Sequence, residues 1–423
     1  MSGIPQPAAS PGDPGRAATD QVPFGATVAV MAVIGLILGS QAYVTIPLMP
    51  EIATAWGVEQ SAAAWATSAF AIAYACGSLL SGPLAENYGR RTAIWTSLAA
   101  LSLATLAVPL AGGQTGGLAM RAVQGLAAGV FAPVVYAYFG ERLPAQRVAL
   151  ALTVVSCALG GTLVAGQLGA QLLESLFGWG AVFWVSAPLL AAGAVAARMV
   201  MLPDAPRDAG RAGGGFAFGN VLSSGRLIPL FVTALIVLGG VTAVYTGVQL
   251  YGPESLGDPD AMFALRASAL PSLLVAVLAA PKLAAIPPTR RAAGALALAG
   301  LGMGAAALAG DNTLVLGIAL FAAMVGVATA GPALVQAVGG AAGADRATAI
   351  AVYSFLLNLG AGIGAQVPQA TDVFTHLVLW IGLAFAAAIG LVVLAGRASN
   401  RAAAADKGRS EVPGVASVPA EAR

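Results

Sequence analysis

The sequence predicts an all-α integral membrane protein, with twelve transmembrane helices arranged as two pseudo-symmetric six-helix bundles. Three observations predict it. Of the 423 residues, 58% are hydrophobic and only 9% charged, against roughly 25% charged in an ordinary soluble domain. Apolar runs of about 20 residues, the length that crosses a hydrocarbon core, recur along the chain. The basic residues, finally, gather at alternate joints between those runs. Such a composition excludes a cytosolic enzyme, a secreted disulfide scaffold and a disordered chain. The formal charge of +2 gives no reason to expect nucleic acid as a partner. Cys76 and Cys157 both lie inside apolar runs, so no metal site or disulfide framework is expected.

Residues 1–23 are rich in Pro, Gly, Ala and Ser and read as a disordered arm. The first bundle occupies 24–201, with apolar runs near 25–46, 61–81, 93–112, 118–139, 148–171 and 180–201. Residues 202–227 form the longest internal polar stretch and include the triplet Gly213–Gly215, as expected of a linker. The second bundle occupies 228–396, with runs near 228–250, 264–286, 292–310, 313–338, 347–370 and 374–396. Residues 397–423 carry eight charges without a hydrophobic period and read as a tail.

An even number of spans puts both ends of the chain on one side. With that side taken as cytoplasmic, 18 of the 20 basic residues fall inside, leaving only Arg121 and Arg266 elsewhere. The opposite joints carry Glu51, Glu59, Glu174, Glu254, Asp258, Asp260, Asp311 and Asp372. The expectation is a multi-pass protein of the plasma or bacterial inner membrane, both termini cytoplasmic, surrounded by lipid and monomeric. The halves echo each other. Arg90–Arg91 recurs as Arg290–Arg291, and Gly161 is matched by Gly360. A repeat of six-helix units is the pattern of a rocking transporter, with its substrate site between the halves.

The most specific string is Gly82-Pro83-Leu84-Ala85-Glu86-Asn87-Tyr88-Gly89-Arg90-Arg91. Its glycines permit a tight turn, and Glu86 can pair with Arg90 or face a helix N-terminus. The string resembles the loop 2–3 signature of the major facilitator superfamily, G-x-L-a-D-x-x-G-R-[RK], with Glu86 where aspartate is usual. Gly82, Leu84, Glu86, Gly89, Arg90 and Arg91 are the motif positions. The resemblance implies a cytoplasmic gate in which Glu86 docks near Arg346–Ala349, at the start of span eleven. Pro47-Leu48-Met49-Pro50-Glu51-Ile52 is similar to the superfamily's exit from span one.

Arg121-Ala-Val-Gln124-Gly125 is similar to the R-x-x-Q-G motif of drug–proton antiporters in that superfamily. Arg121 and Gln124 share a face at i, i+3. An arginine inside a span costs about 2.5–3.5 kcal/mol at the helix centre on insertion scales. It therefore either serves function or snorkels to pair with Glu51. The resemblance implies proton coupling through Arg121, Gln124 and Glu51. On span five, Gly161, Ala165, Gly166 and Gly169 follow the antiporter pattern without its proline, and Gly360 and Gly364 repeat the spacing on span eleven. Close helix packing explains these small residues without further function.

Polar residues on one helical face mark a candidate cavity. Span seven offers Thr242, Tyr245, Thr246 and Gln249 at i, i+3, i+4 and i+7. Span one adds Ser40, Gln41 and Tyr43, and span eleven adds Tyr353 and Asn358; helix-to-helix hydrogen bonds are the competing explanation. No Asp or Glu falls deep in a span, so the cavity suits a neutral or weakly amphipathic organic molecule. The resemblance, nearest the bacterial drug and metabolite efflux branches, implies export of a small organic compound in exchange for protons. A facilitative or uptake permease of the same fold, for a neutral metabolite or sugar, is the alternative. No enzyme motif, cofactor site or phosphate loop is present.

Overall fold

Backbone polar groups in hydrocarbon must be satisfied within the chain, and a helix does this locally. The computed structural model describes residues 23–204, 218–283 and 285–410, and among them there is no strand. The expected arm, most of the linker and the end of the tail lie outside the described residues.

The first half comprises α1 (Phe24–Ser40), α2 (Met49–Trp56), α3 (Gln60–Ala63), α4 (Trp65–Tyr88), α5 (Arg90–Ala107), α6 (Gly113–Gly129), α7 (Phe131–Arg142), α8 (Ala145–Gly160), α9 (Thr162–Phe177) and α10 (Trp179–Val200). After the short α11 (Phe218–Leu222) come α12 (Ile228–Tyr251), α13 (Pro259–Ala267), α14 (Leu270–Leu283), α15 (Pro288–Ala307), α16 (Thr313–Ala341), α17 (Arg346–Gly364) and α18 (Phe374–Ser410). Eight rods among the described residues are long and apolar enough to cross a membrane, or nine if α8 and α9, bent by 44° at Gly161, form one span. The remaining rods fall short of that test for simple reasons. α1 and the Thr348–Gly364 stretch of α17 are apolar but short, while Arg290 and Arg291 in the first turn of α15 dilute its hydropathy. With these three, twelve helical rods follow one another among the described residues, of which eight or nine pass the test for a span.

Several expected boundaries differ. The helix of span two, expected to end at 81, runs to Tyr88 and carries most of the Gly82–Arg91 string in its last turns. That of span eleven, expected to end at 370, stops at Gly364. Span one, expected over 25–46, ends its helix at Ser40. Residues 41–48 turn through tighter bonds, with Gln41 N donating to Leu38 O, Tyr43 N to Ser40 O and Ile46 N to Tyr43 O. Pro47 and Pro50 keep the helix from resuming before Met49, because neither has an N–H to bond the carbonyls of Tyr43 and Ile46. Span twelve, expected to end at 396, runs on to Ser410. Its extension is alanine-rich, and alanine is the best helix former.

Each half has its own apolar core. One gathers Met31, Leu38, Phe70, Ile94, Phe131 and Phe139, the other Phe231, Leu296, Leu334, Tyr353, Leu377 and Phe385. A third cluster draws on both halves, with Tyr43, Ile46 and Leu163 meeting Val241, Tyr245 and Met324. The end of the bundle that holds Arg90, Arg91 and Arg198 is called the basic end below, and the end that holds Glu51, Glu174 and Glu254 the acidic end. Side-chain hydrogen bonds between the halves, among the described residues, gather toward the acidic end. Gln60 donates to Gln249 O, Ser68 to Gly362 O, Gln171 to Pro259 O and Gln369 to Ser61 O. Gln366 donates to the Ser68 hydroxyl, and Arg266 to Gln171.

Candidate functional site

At the basic end, Gly89 separates α4 from α5 with a φ of +86°. Left-handed backbone of this kind favours glycine. A Cβ here would also lie 2.2 Å from Asp204 Cγ, so the linker's first residues close over the turn. Asp204 accepts from Arg91 N at 3.1 Å and from Thr92 N and Oγ1 at 3.2 Å. That caps the otherwise orphaned first donors of α5. Arg91 donates to Arg198 O, and Arg90 forms an ion pair with Glu141. Of the two roles open to Glu86, the pair with Arg90 is therefore not formed. Glu86 is exposed, because Arg90 turns across to α7 and reaches the carboxylate there. Gly82 is half-buried and Leu84 exposed on the same stretch. Replacing Asp204 by alanine is expected to lower stability by about 1 kcal/mol, the usual value of a helix cap, read as a lower melting temperature in detergent.

The second cluster surrounds Arg121, whose side chain is fully buried. Its Nε donates to Ala66 O at 3.0 Å, Nη1 to Gln124 Oε1 at 2.8 Å and Nη2 to Gln41 O at 2.7 Å. Its guanidinium also lies 4.5 Å from the centre of the Phe70 ring. Gln124 passes the chain on, donating to Thr105 Oγ1 at 2.8 Å, and Thr105 donates to Leu101 O at 2.6 Å. The expected Arg121–Glu51 pair is not made. Arg121 is turned into the bundle by the break after Ser40, which leaves the Gln41 carbonyl free to accept. Glu51 instead lines a vestibule at the acidic end with Glu174. Burial first, and then the Glu174 carboxylate, holds the Glu51 carboxyl above its ordinary pKa. No Asp or Glu is buried among the described residues.

The cavity candidates divide. Gln41, Tyr43, Thr242, Tyr245, Thr246 and Tyr353 are buried, while Ser40, Gln249 and Asn358 are half-buried. Three are used by their neighbours. Ser40 donates to Thr162 O, Thr242 to Leu238 O and Asn358 to Ser354 O. Gln249 accepts from Arg266 at 2.5 Å. Gln41 Oε1, Thr246 Oγ1 and the Tyr353 hydroxyl are buried without a partner. Gln167 Oε1 joins them, a residue that sequence reasoning missed. The signal for it was present as a pair of glutamines, Gln167 and Gln171, one turn apart in an apolar span.

The small residues also divide. A Cβ on Gly360 would stand 2.2 Å from Leu235 O, one on Gly364 2.1 Å from Gly239 O, and one on Gly166 2.7 Å from Ser40 O. Gly161 meets nothing closer than 3.5 Å, and Gly169 has no neighbour within 4 Å. Ala165 is buried no more than its neighbours demand, being half-buried. Gly125, inside the Arg121 motif, packs against Phe70 O, from which a Cβ would stand only 2.1 Å, so that glycine lets α6 approach α4.

Two helical cores, a third cluster that draws on both halves and side-chain hydrogen bonds between them at the acidic end are the features of a membrane carrier fold. A family model described as Major Facilitator Superfamily matches residues 31–365. The chain belongs to that superfamily of membrane transporters. It is 28% identical over 167 residues to the tetracenomycin C resistance and export protein of Streptomyces glaucescens, covering 39% of this chain and 30% of that protein. It is 32% identical over 162 residues to a chloramphenicol resistance protein of Streptomyces lividans, covering 37% of this chain and 40% of that one. The 4-hydroxybenzoate transporter PcaK of Pseudomonas aeruginosa is 28% identical over 132 residues, or 31% of this chain and 30% of PcaK. The chain thus spans about a third of the length of the curated relatives it matches.

Proposed function

We propose that this transporter exports a small, uncharged organic compound by alternating access, in exchange for protons, with its basic end and both termini in the cytoplasm. One observation carries the substrate reading. Six buried side-chain polar atoms lack partners among the described residues: Gln41 Oε1, Glu51 Oε2, Trp56 Nε1 and Gln167 Oε1 in the first half, and Thr246 Oγ1 and the Tyr353 hydroxyl in the second. Buried polar groups without hydrogen bonds are rare and call for an explanation. A bound molecule between the halves would supply partners to those it reaches, and the absence of a wholly buried Asp or Glu among the described residues favours a neutral one, the Glu51 carboxylate being half-buried at the vestibule. The export direction is supported by the resistance and export relatives. Proton coupling is supported by Arg121 and Gln124, buried and joined across α4, α5 and α6. Glu86 is taken to dock on the basic-end start of α17 when the halves rock the other way, a role its exposure and its lack of an ion pair among the described residues leave open.

The test is flux in everted membrane vesicles, using compounds to which a deletion strain becomes sensitive. Accumulation is expected when the vesicle interior is acid and to vanish when the proton gradient is collapsed. Accumulation that ignores the gradient would leave a facilitator. That second reading, an uptake permease, draws support from the relative that transports 4-hydroxybenzoate.

A further inference from the structure

We propose that Arg266 and Gln171 form a reversible latch that holds the acidic end closed, with Gln249 as the clasp that keeps Arg266 in place. The proposal rests on the alternating-access reading above and names the contact that must break for this end to open. Arg266 is one of the two basic residues that depart from the charge asymmetry of the sequence, and it is 4% exposed. Its Nη1 donates to Gln171 Oε1 and its Nη2 to Gln249 Oε1, both at 2.5 Å. Gln171 belongs to the first half and spends both functions of its amide on the second. Its Oε1 accepts from Arg266, and its Nε2 donates to Pro259 O at 2.7 Å. The donor and acceptor it meets both lie on α13, one at each end.

The choice of partner is informative. The same vestibule, about 850 Å³ in volume, is lined by Glu51, Glu174, Glu254 and Asp260. Arg266 forms no ion pair with any of them, and takes neutral amides instead. A buried ion pair broken at each cycle would strand two charges, whereas an amide can be released with a smaller penalty. Hydrogen bonds to a charged group remain stronger than neutral ones. The contact is thus firm enough to close the end and weak enough to be remade.

The test is thiol accessibility, which needs no substrate. Cys76 and Cys157 are replaced by serine in the full chain, and Thr246→Cys, buried one turn below Gln249, serves as reporter. A membrane-impermeant maleimide is added to right-side-out and to everted vesicles. Gln171→Ala is expected to raise labelling from the acidic end about tenfold, the factor that one hydrogen bond to a charged group is worth. Arg266→Gln is expected to do the same, and the two together to add little. Gln171→Glu gives up the donation to Pro259 O but turns the Arg266 contact into an ion pair, the stronger of the two interactions, and is expected to lower labelling below the parent. It also keeps the proposal falsifiable should the alanine variant fold poorly. Parental labelling in Gln171→Ala, or faster labelling in Gln171→Glu, overturns the latch. Faster labelling of Gln171→Ala in everted vesicles alone upholds the latch and overturns the orientation. Proton-independent flux overturns the coupling without touching either.

Discussion

Arg121→Ala is expected to abolish transport and to lower the melting temperature of the purified protein. Three acceptors lose their donor at once: the Ala66 carbonyl, the Gln41 carbonyl and Gln124 Oε1. An acceptor left unpaired in the interior costs about 1–3 kcal/mol, and the truncated side chain leaves a cavity as well. Removing an uncompensated buried cation offsets part of this loss, since its desolvation is itself expensive. The balance still falls on the destabilised side, by about 2 kcal/mol, because the orphaned Gln41 carbonyl and Gln124 Oε1, together with the cavity, outweigh one relieved charge. The Ala66 carbonyl keeps its helical partner. Arg121→Lys separates charge from geometry. Lysine keeps the charge but not the planar fork that reaches three directions. It is expected to fold better than the alanine variant and still to transport poorly. Full transport with an unchanged melting temperature in Arg121→Ala would remove Arg121 from the coupling machinery.

The second large effect is Gly364→Val. The Cβ alone would stand 2.1 Å from Gly239 O, on the facing helix α12. Backbone cannot swing aside as a side chain can, so the two helices must separate. Overpacking costs about 1–3 kcal/mol in ordinary cores, and a clash with backbone belongs at the upper end. The expected result is about 3 kcal/mol of lost stability and a sharp fall in folded yield. Gly169→Val is the control. It belongs to the small-residue pattern of span five, yet nothing lies within 4 Å of its Cβ, so its effect should stay within about 0.5 kcal/mol. Equal losses at both positions would mean that these glycines act through backbone flexibility and not through close approach.

The contrast between these two glycines marks where sequence reasoning stops. Small-xxx-small spacing is visible in one dimension, but which member faces a neighbouring helix depends on how the rods cross. Gly360, Gly364 and Gly166 face a crossing, whereas Gly161 and Gly169 do not. The Glu86 pairing shows the same limit. An acid beside two arginines suggests a local pair, yet Arg90 reaches Glu141 and Arg91 is tied to Arg198 and Asp204. Partners that lie 51 to 113 residues away leave no periodic trace. The break after Ser40 was better announced, since Pro47 and Pro50 stand at its end. What the prolines did not reveal was that the freed Gln41 carbonyl would receive Arg121.

Hydrophobic length, charge asymmetry and the Gly82–Arg91 string were enough to determine a helical membrane protein of two repeated halves in the major facilitator superfamily. These features follow from the solvent, because a chain in lipid must be helical, apolar in long runs and charged at the joints. Only the tertiary structure decided that Arg121 is satisfied by neutral acceptors, that Arg266 bridges the halves through Gln171, and that the halves meet at the acidic end. Those outcomes depend on which polar groups are left unpaired once the rods pack. A buried donor takes the nearest acceptor that the fold presents, and that distance exists only in three dimensions.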